Sequence, residues 1–259
     1  MRMMKKVLGT VTVLALSASL LAGCGSTAAS PVSSAASTAA ESTTSSVVSE
    51  TTSAAADENV AAAAQLLNDL TGSYQELWPV ILADEYQQTW LDDCTALVGE
   101  ENAEAAFEKL SSMVTGDVYG EDAVEAYANG GGAYFCGFTN SLATLTFDGE
   151  TSTISGTDKD GNVLFSHTYH YIGMEPVHGL YEFESDDADS GEFTYFFLAP
   201  DTSAETYHIE FRYGSDAEAL SQYDAGEYAY WVASGISTDC DQTMIDNCIE
   251  LFCTENLAG

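Results

Sequence analysis

The chain has 259 residues, of which 41 are acidic and only 6 basic, giving a formal net charge of −35. Such a field repels nucleic acid and anionic membrane surfaces, so neither is expected as a partner. The length suits one globular domain once the two N-terminal segments described next are set aside.

Arg2, Lys5 and Lys6 form a positive start, Val7 to Leu21 is a short apolar run, and Leu21-Ala22-Gly23-Cys24 closes it with small residues before a cysteine. This is the layout of a secretory signal over residues 1–23. Its ending resembles the lipobox of bacterial lipoproteins, which implies a lipid on Cys24 and an extracytoplasmic, membrane-anchored location. The alternative is an ordinary cleaved signal followed by a coincidental cysteine. The apolar run is too short to span a bilayer comfortably, so the lipid is the expected anchor. Removing the signal leaves three basic residues (Lys109, Lys159 and Arg212) against 41 acidic ones, a net charge of −38. Residues 24–57 are nearly all Ser, Thr, Ala and Val, without aromatics or apolar period. They bury too little to offset the entropy of ordering and read as a flexible tether, which leaves residues 58–259 as the folded domain.

Within the domain, helical spacing of apolar residues predicts helices over Glu58–Leu70, Tyr74–Leu82, Tyr86–Leu97, Ala103–Leu110 and Val118–Tyr127, ending at Gly130-Gly131-Gly132. Short β-branched and aromatic runs follow at Ala133–Phe138, Ala143–Phe147, Thr151–Ser155, Val163–Tyr171, Leu180–Glu184, Glu192–Leu198 and Thr206–Tyr213. Turn residues such as Asp148-Gly149 and Asp158-Lys159-Asp160-Gly161 separate them. The latter fits a hairpin turn better than a calcium loop, whose later Glu is missing. A helix over Ser215–Tyr223, capped by Ser215, and a last helix over Asp239–Thr254 complete the pattern. The predicted fold is mainly β with flanking helices: an antiparallel barrel or sandwich between N-terminal and C-terminal helices.

Five cysteines lie in the domain: Cys94, Cys136, Cys240, Cys248 and Cys253. Cys240 and Cys248 cannot bond within one helix, so any bridge is expected to run from the C-terminal segment to Cys94 or to Cys136. An odd number leaves one thiol over.

No P-loop, GxGxxG, GxSxG or HExxH occurs. The most informative segment is Tyr207-His208-Ile209-Glu210-Phe211-Arg212-Tyr213. On a strand, alternate residues share a face, so His208, Glu210 and Arg212 point one way and the four apolar or aromatic residues point to a core. A nitrogen and an oxygen two residues apart can share a metal ion; a solvated polar row is the plainer alternative.

Several segments are similar to the ZinT family of bacterial zinc- and cadmium-binding proteins, also found as the C-terminal domain of AdcA-type zinc lipoproteins. They are Leu67 to Pro79 at the opening, Tyr169 to Gly173 and Leu180 to Glu184 in the middle, and Phe197 to Pro200 and His208 to Asp216 near the end. The resemblance covers nearly the whole domain. It implies a lipocalin-like antiparallel β-barrel that binds a divalent metal ion, zinc first, for capture or for delivery to a zinc-uptake transporter component. The family's three histidine ligands map here to Phe196, which offers no donor atom, to His208, and to Glu210, which offers an oxygen.

With one ligand lost, a helper is needed. His167 and His170 point to opposite faces of a strand, and His170 is the expected helper. His178 falls in a loop, and Cys136 or the C-terminal thiols are soft donors if not paired. The expected metal site is therefore His208, Glu210 and His170, with no catalytic role. The alternative function is a scaffold without zinc that binds a small ligand or a protein at a barrel mouth lined by Tyr169, Tyr171 and Tyr207.

Overall fold

The computed structural model describes residues 47–258, with side chains from 58 onward; the signal segment, Cys24 and most of the tether lie outside the described residues. By its contacts the chain divides between Ala61 and Ala62, and the described fold is essentially the second unit, Ala62–Gly259. Of the first, only the opening of helix α1 (Val47–Asp69) is described, so helical backbone reaches into the stretch expected to be unstructured. Among the described residues, no helix is long and apolar enough to cross a membrane.

The second unit is built on eight strands: β1 (Gly72–Glu76), β2 (Thr144–Asp148), β3 (Thr153–Thr157), β4 (Val163–Met174), β5 (Tyr181–Ser185), β6 (Tyr195–Leu198), β7 (Ile209–Gly214) and β8 (Ala233–Ser237). Each pairs antiparallel with the next, and β8 returns to β1, closing the barrel. Helices α2 (Leu77–Ile81), α3 (Gln87–Val98), α4 (Ala103–Val114) and α5 (Glu121–Ala128) lie between β1 and β2. Short helices α6 (Ser203–Thr206) and α7 (Ala217–Leu220) flank β7, and α8 (Gln242–Leu257) ends the fold. The expected antiparallel barrel with flanking helices is therefore present.

Two cores share the sheet. Leu145, Phe147, Ile154, Phe183, Phe196, Phe211, Tyr213 and Trp231 fill the barrel, and Leu66, Leu67 and Leu70 of α1 pack against that cluster. The second core lies outside the barrel, where Leu77, Trp78 and Ile81 of α2 meet Trp90 and Cys94 of α3, Leu110 of α4, Ile236 of β8, and Ile245, Cys248, Ile249 and Cys253 of α8. The spacing of the α8 residues places them on one helical face, which is why that helix docks. Asp241 caps α8 by accepting from the Met244 amide at 2.9 Å.

Several sequence expectations are corrected. The stretch from Tyr74 to Glu76 is strand rather than helix, because its backbone is needed by both neighbours: Tyr74 stands opposite Leu145 and Ser237. Ala133–Phe138 is not a strand of the barrel; Phe135 makes isolated bridges to Thr115 and Trp231. β8 was not expected at all. Its residues are buried on both faces, one toward the barrel and one toward the helices, so no polar alternation marks it. A side chain at Gly235 would stand 3.0 Å from Ile209 Cγ1, which explains the small residues there. The cap of α7 is Asp216, not Ser215; its carboxylate accepts from the Glu218 and Ala219 amides at 2.9 and 3.1 Å.

Phe196 has no exposed surface and stacks on Tyr213 with ring centroids 5.4 Å apart. Truncating it leaves a cavity that the surrounding rings cannot close. Phe196→Ala is expected to destabilise the barrel by about 3–5 kcal/mol, lowering the urea midpoint by roughly 1–2 M. Val163→Ala, at a side chain on the barrel exterior, should leave the midpoint unchanged.

Candidate functional site

The chain enters β7 through a tight reversal. α6 ends at Thr206, and Tyr207 adopts a left-handed conformation with φ of +66°. The Thr206 hydroxyl donates to the His208 carbonyl at 2.8 Å and locks the turn. This reversal takes Tyr207 out of the expected alternation: it packs on the helix side rather than in the barrel with Ile209, Phe211 and Tyr213.

His208 and Glu210 are brought together on the outer, helix-covered face. The Nε2 of His208 lies 3.7 Å from Glu210 Oε1. The other ring nitrogen, Nδ1, is 2.7 Å from the Thr206 carbonyl oxygen. A carbonyl only accepts, so Nδ1 carries a proton and donates it there. That bond fixes the ring and leaves Nε2 as the nitrogen facing Glu210. Burial disfavours charge on the imidazole. The adjoining Cys248 thiol of α8 and the Glu210 carboxylate outweigh it and hold the His208 pKa well above its usual value.

More acids surround the pair. Asp201, just before α6, and Glu255, on α8, both have their carboxyl pKa raised, first by burial and then by the negative charge of Glu210. In both, the positive charge of His208 pulls the other way. Cys136 has its thiol pushed up to about 12, by burial and then by Glu210. Among the described residues, no lysine or arginine forms a salt bridge to these acids. Every close contact between a carboxylate and a basic side chain among those residues is made by a histidine, and none by a lysine or arginine.

The other predicted residues lie elsewhere. His170 is half exposed on β4, with Nδ1 2.8 Å from Asp186 Oδ1 and Nε2 4.0 Å from Glu184 Oε2. Strands β5 and β6 separate β4 from β7, so His170 does not join His208. His167 stacks on Phe165 and bonds Asp187 at 2.7 Å. His178 lies on the Tyr223 ring beside buried Glu175, whose carboxylate accepts from the His178 amide at 2.6 Å. Arg212 shares the outer face but is fully buried. Its guanidinium donates to the carbonyls of Leu220, Gln222 and Tyr228 and sits 4.2 Å from the centre of the Tyr223 ring. It fastens the loop after α7 and belongs to no binding site.

Phe196 faces the barrel interior, on the opposite side of the sheet from Glu210. Even a histidine there would not reach the pair. The interior itself is packed with aromatic rings, and Tyr207 stands outside it, so Tyr169, Tyr171 and Tyr207 do not share a mouth. A cavity of about 320 Å³ lies on the helix side, lined by Trp78, Pro79, Leu82, Phe135 and Cys136. Sequence reasoning missed Asp201 and Glu255 beside His208; nothing local marks either, because α8 reaches β7 only through the second core.

As arranged, no three or more His, Cys, Asp or Glu side chains among the described residues converge tightly enough to hold a metal ion. His208 and Glu210 stand together as a pair, and Cys248 lies next to His208 on the facing helix.

No family model matches the chain, and no curated protein matches it. Among solved structures, it is similar to the Zn(II)-bound ZinT-like domain of Streptococcus pneumoniae AdcA, with 17% identity and a TM-score of 0.45 over 71% of this chain and 89% of that one. It is also similar to Zn(II)-bound AdcA from Streptococcus pneumoniae, with 16% identity and a TM-score of 0.41 over 70% of this chain and 34% of that one. The resemblance expected from the sequence thus recurs among solved structures. At such identity and TM-score, the acting residues have to be identified from this chain's own side chains.

A raised histidine pKa stabilises the fold fully below the unfolded value of about 6.5 and loses that contribution as pH rises through the folded value. The protonated ring is held by Glu210 on β7 and Cys248 on α8, with Asp201 and Glu255 adding negative charge nearby. With chelator present, the parent should therefore exceed His208→Gln in urea midpoint most at pH 6. The difference should shrink steadily toward pH 9. A difference that grows with pH would contradict the assignment of charge to His208.

Proposed function

We propose that the chain is an exported lipoprotein that binds zinc on the outer face of its barrel, for metal capture or delivery. The observation that carries this reading is the orientation of His208. Its Nδ1 is committed to the Thr206 carbonyl and its Nε2 faces the Glu210 carboxylate. Metal-ligating histidines are held in this way, with one nitrogen fixed by a backbone carbonyl and the other free to ligate. His208 and Glu210 would be the first two ligands, and the Cys248 thiolate, drawn in by side-chain rotation when metal binds, would replace the expected His170 as the third. A nitrogen, oxygen and sulfur set suits zinc, and a thiolate also accommodates cadmium.

The surroundings favour a cation. Glu210, Asp201 and Glu255 concentrate negative charge around His208. The site exchanges protons for metal: His208 gives up its Nε2 proton and Cys248 its thiol proton. Affinity therefore rises with pH across the neutral range. The overall acidity adds a weak, salt-dependent attraction that raises the local cation concentration. The absence of any recognisable nucleophile–base motif in the sequence supports binding rather than catalysis. Cys24 would anchor the protein outside the cytoplasm, and a tether of this length reaches roughly 30 Å. That reach lets the domain hand metal to a transporter component on the same membrane.

Two measurements test the proposal. In calorimetric titration, His208→Ala should weaken zinc binding by roughly 100-fold or more and Cys248→Ser by roughly 10-fold or more. His170→Ala and His178→Ala should stay within about twofold of the parent. If His208→Ala binds zinc as well as the parent, the binding is diffuse attraction to the acidic surface and the site is wrong. In cell fractionation, Cys24→Ser should move the protein from the membrane to the soluble fraction. Retention on membranes after a salt wash would overturn the anchor.

A further inference from the structure

Of the thiols in the second core that the metal site does not use, two touch each other. Cys94 lies one helical turn beyond Trp90 on the buried face of α3, and Cys253 lies on the buried face of α8. Both have no exposed surface, and their sulfurs are 3.9 Å apart, in contact across the two helices. They are separated by 159 positions in sequence, so only the packing of α3 on α8 brings them together. The other three thiols have different surroundings. Cys136 lies beside Glu210, Cys248 beside His208, and Cys240 is partly exposed beyond β8.

We infer that Cys94 and Cys253 form a disulfide when the chain folds in an oxidising medium, leaving Cys136, Cys240 and Cys248 as thiols. Closing the bond requires the sulfurs to approach by about 2 Å, to the ordinary S–S length. Side-chain torsions on two facing helices supply such a movement without a change of fold. The oxidant is a donor disulfide, either oxidised glutathione or the active-site disulfide of a thiol oxidoreductase. One cysteine, as thiolate, attacks a donor sulfur and releases the first donor thiol, giving a mixed disulfide. The second cysteine displaces the remaining donor sulfur. Two thiol protons and two electrons leave the protein, and the donor is reduced to two thiols.

Burial sets the timing. It raises the pKa of both thiols in the folded chain, so neither ionises readily once the helices have docked. The bond therefore forms during folding, while the donor still has access, and afterwards is shielded from reductants. In the cell this rests on the export reading, since an oxidising compartment supplies the donor. The pairing also bears on the proposed zinc site, because α8 carries both Cys253 and Cys248.

The test is to refold the reduced full chain in a glutathione redox buffer, alkylate it in denaturant without reductant, and map the peptides by mass spectrometry. The expected result is a linked pair of peptides containing Cys94 and Cys253, with Cys136, Cys240 and Cys248 alkylated. Adding reductant to the linked protein should lower its melting temperature by roughly 5–15 °C. The double variant Cys94→Ala, Cys253→Ala should show no such dependence on reductant. Alkylation of both Cys94 and Cys253, or a different partner for either, would overturn the inference. Material harvested from the producing cell separates this from export: a chain reduced at harvest but linked on refolding keeps the pairing and counts against the oxidising compartment.

Discussion

The pairing of β1 with β8 closes the barrel, and much else in the molecule follows from where that seam lies. Tyr74, Gln75 and Glu76 stand opposite Ser237, Ile236 and Gly235. Without this pairing, both strands would present unpaired backbone edges, and the aromatic core would open to water. The seam is also where the two cores meet. Ala233 faces the barrel cluster, while Ile236 faces the helices. Closing the barrel therefore creates the platform on which α2 and α8 dock.

That docking turns the outside of a strand into a shielded chemical environment. On an open barrel, the outer face of β7 would be solvated, and His208 and Glu210 would form an ordinary exposed pair. Here α8 lays Cys248 against the imidazole, and the side chains of both are largely withdrawn from water. Charge–charge effects grow as solvent is removed, which is why the imidazole is held charged even though burial opposes it. The strength of the site is thus a property of helix packing as much as of the two residues on the strand.

The legible and illegible parts of the sequence divide along the same line. β2 and β7 carry alternating side chains that mark them, and His208 and Glu210 could be placed on one face from their spacing alone. β8 could not be found, because burial on both sides erases the alternation that identifies a half-buried strand. β1 was misread because Tyr74, Leu77, Trp78 and Ile81 keep a helical interval across a strand-to-helix junction. Non-local pairing with β2 and β8 overrode that local pattern. In the site, Tyr207 was misplaced by a left-handed residue that no propensity argument assigns to a tyrosine. The arrival of Cys248, Asp201 and Glu255 depends on tertiary packing, which single-sequence patterns do not encode. His170 is expected as a helper because it sits in the family-like Tyr169-His170-Tyr171 stretch, yet it has acidic partners of its own.

The lack of any lysine or arginine bridge to a carboxylate among the described residues changes how this protein responds to salt. Proteins held by lysine and arginine bridges lose part of that support as ionic strength rises. Here, among the described residues, no carboxylate is paired with a lysine or arginine, and a net charge of −35 makes the acidic groups repel one another. Dissolved cations relieve that strain, since screening shortens the range over which like charges act to about 8 Å at physiological ionic strength. Added salt therefore acts on this fold in the opposite sense to a protein held by lysine and arginine bridges, easing its self-repulsion.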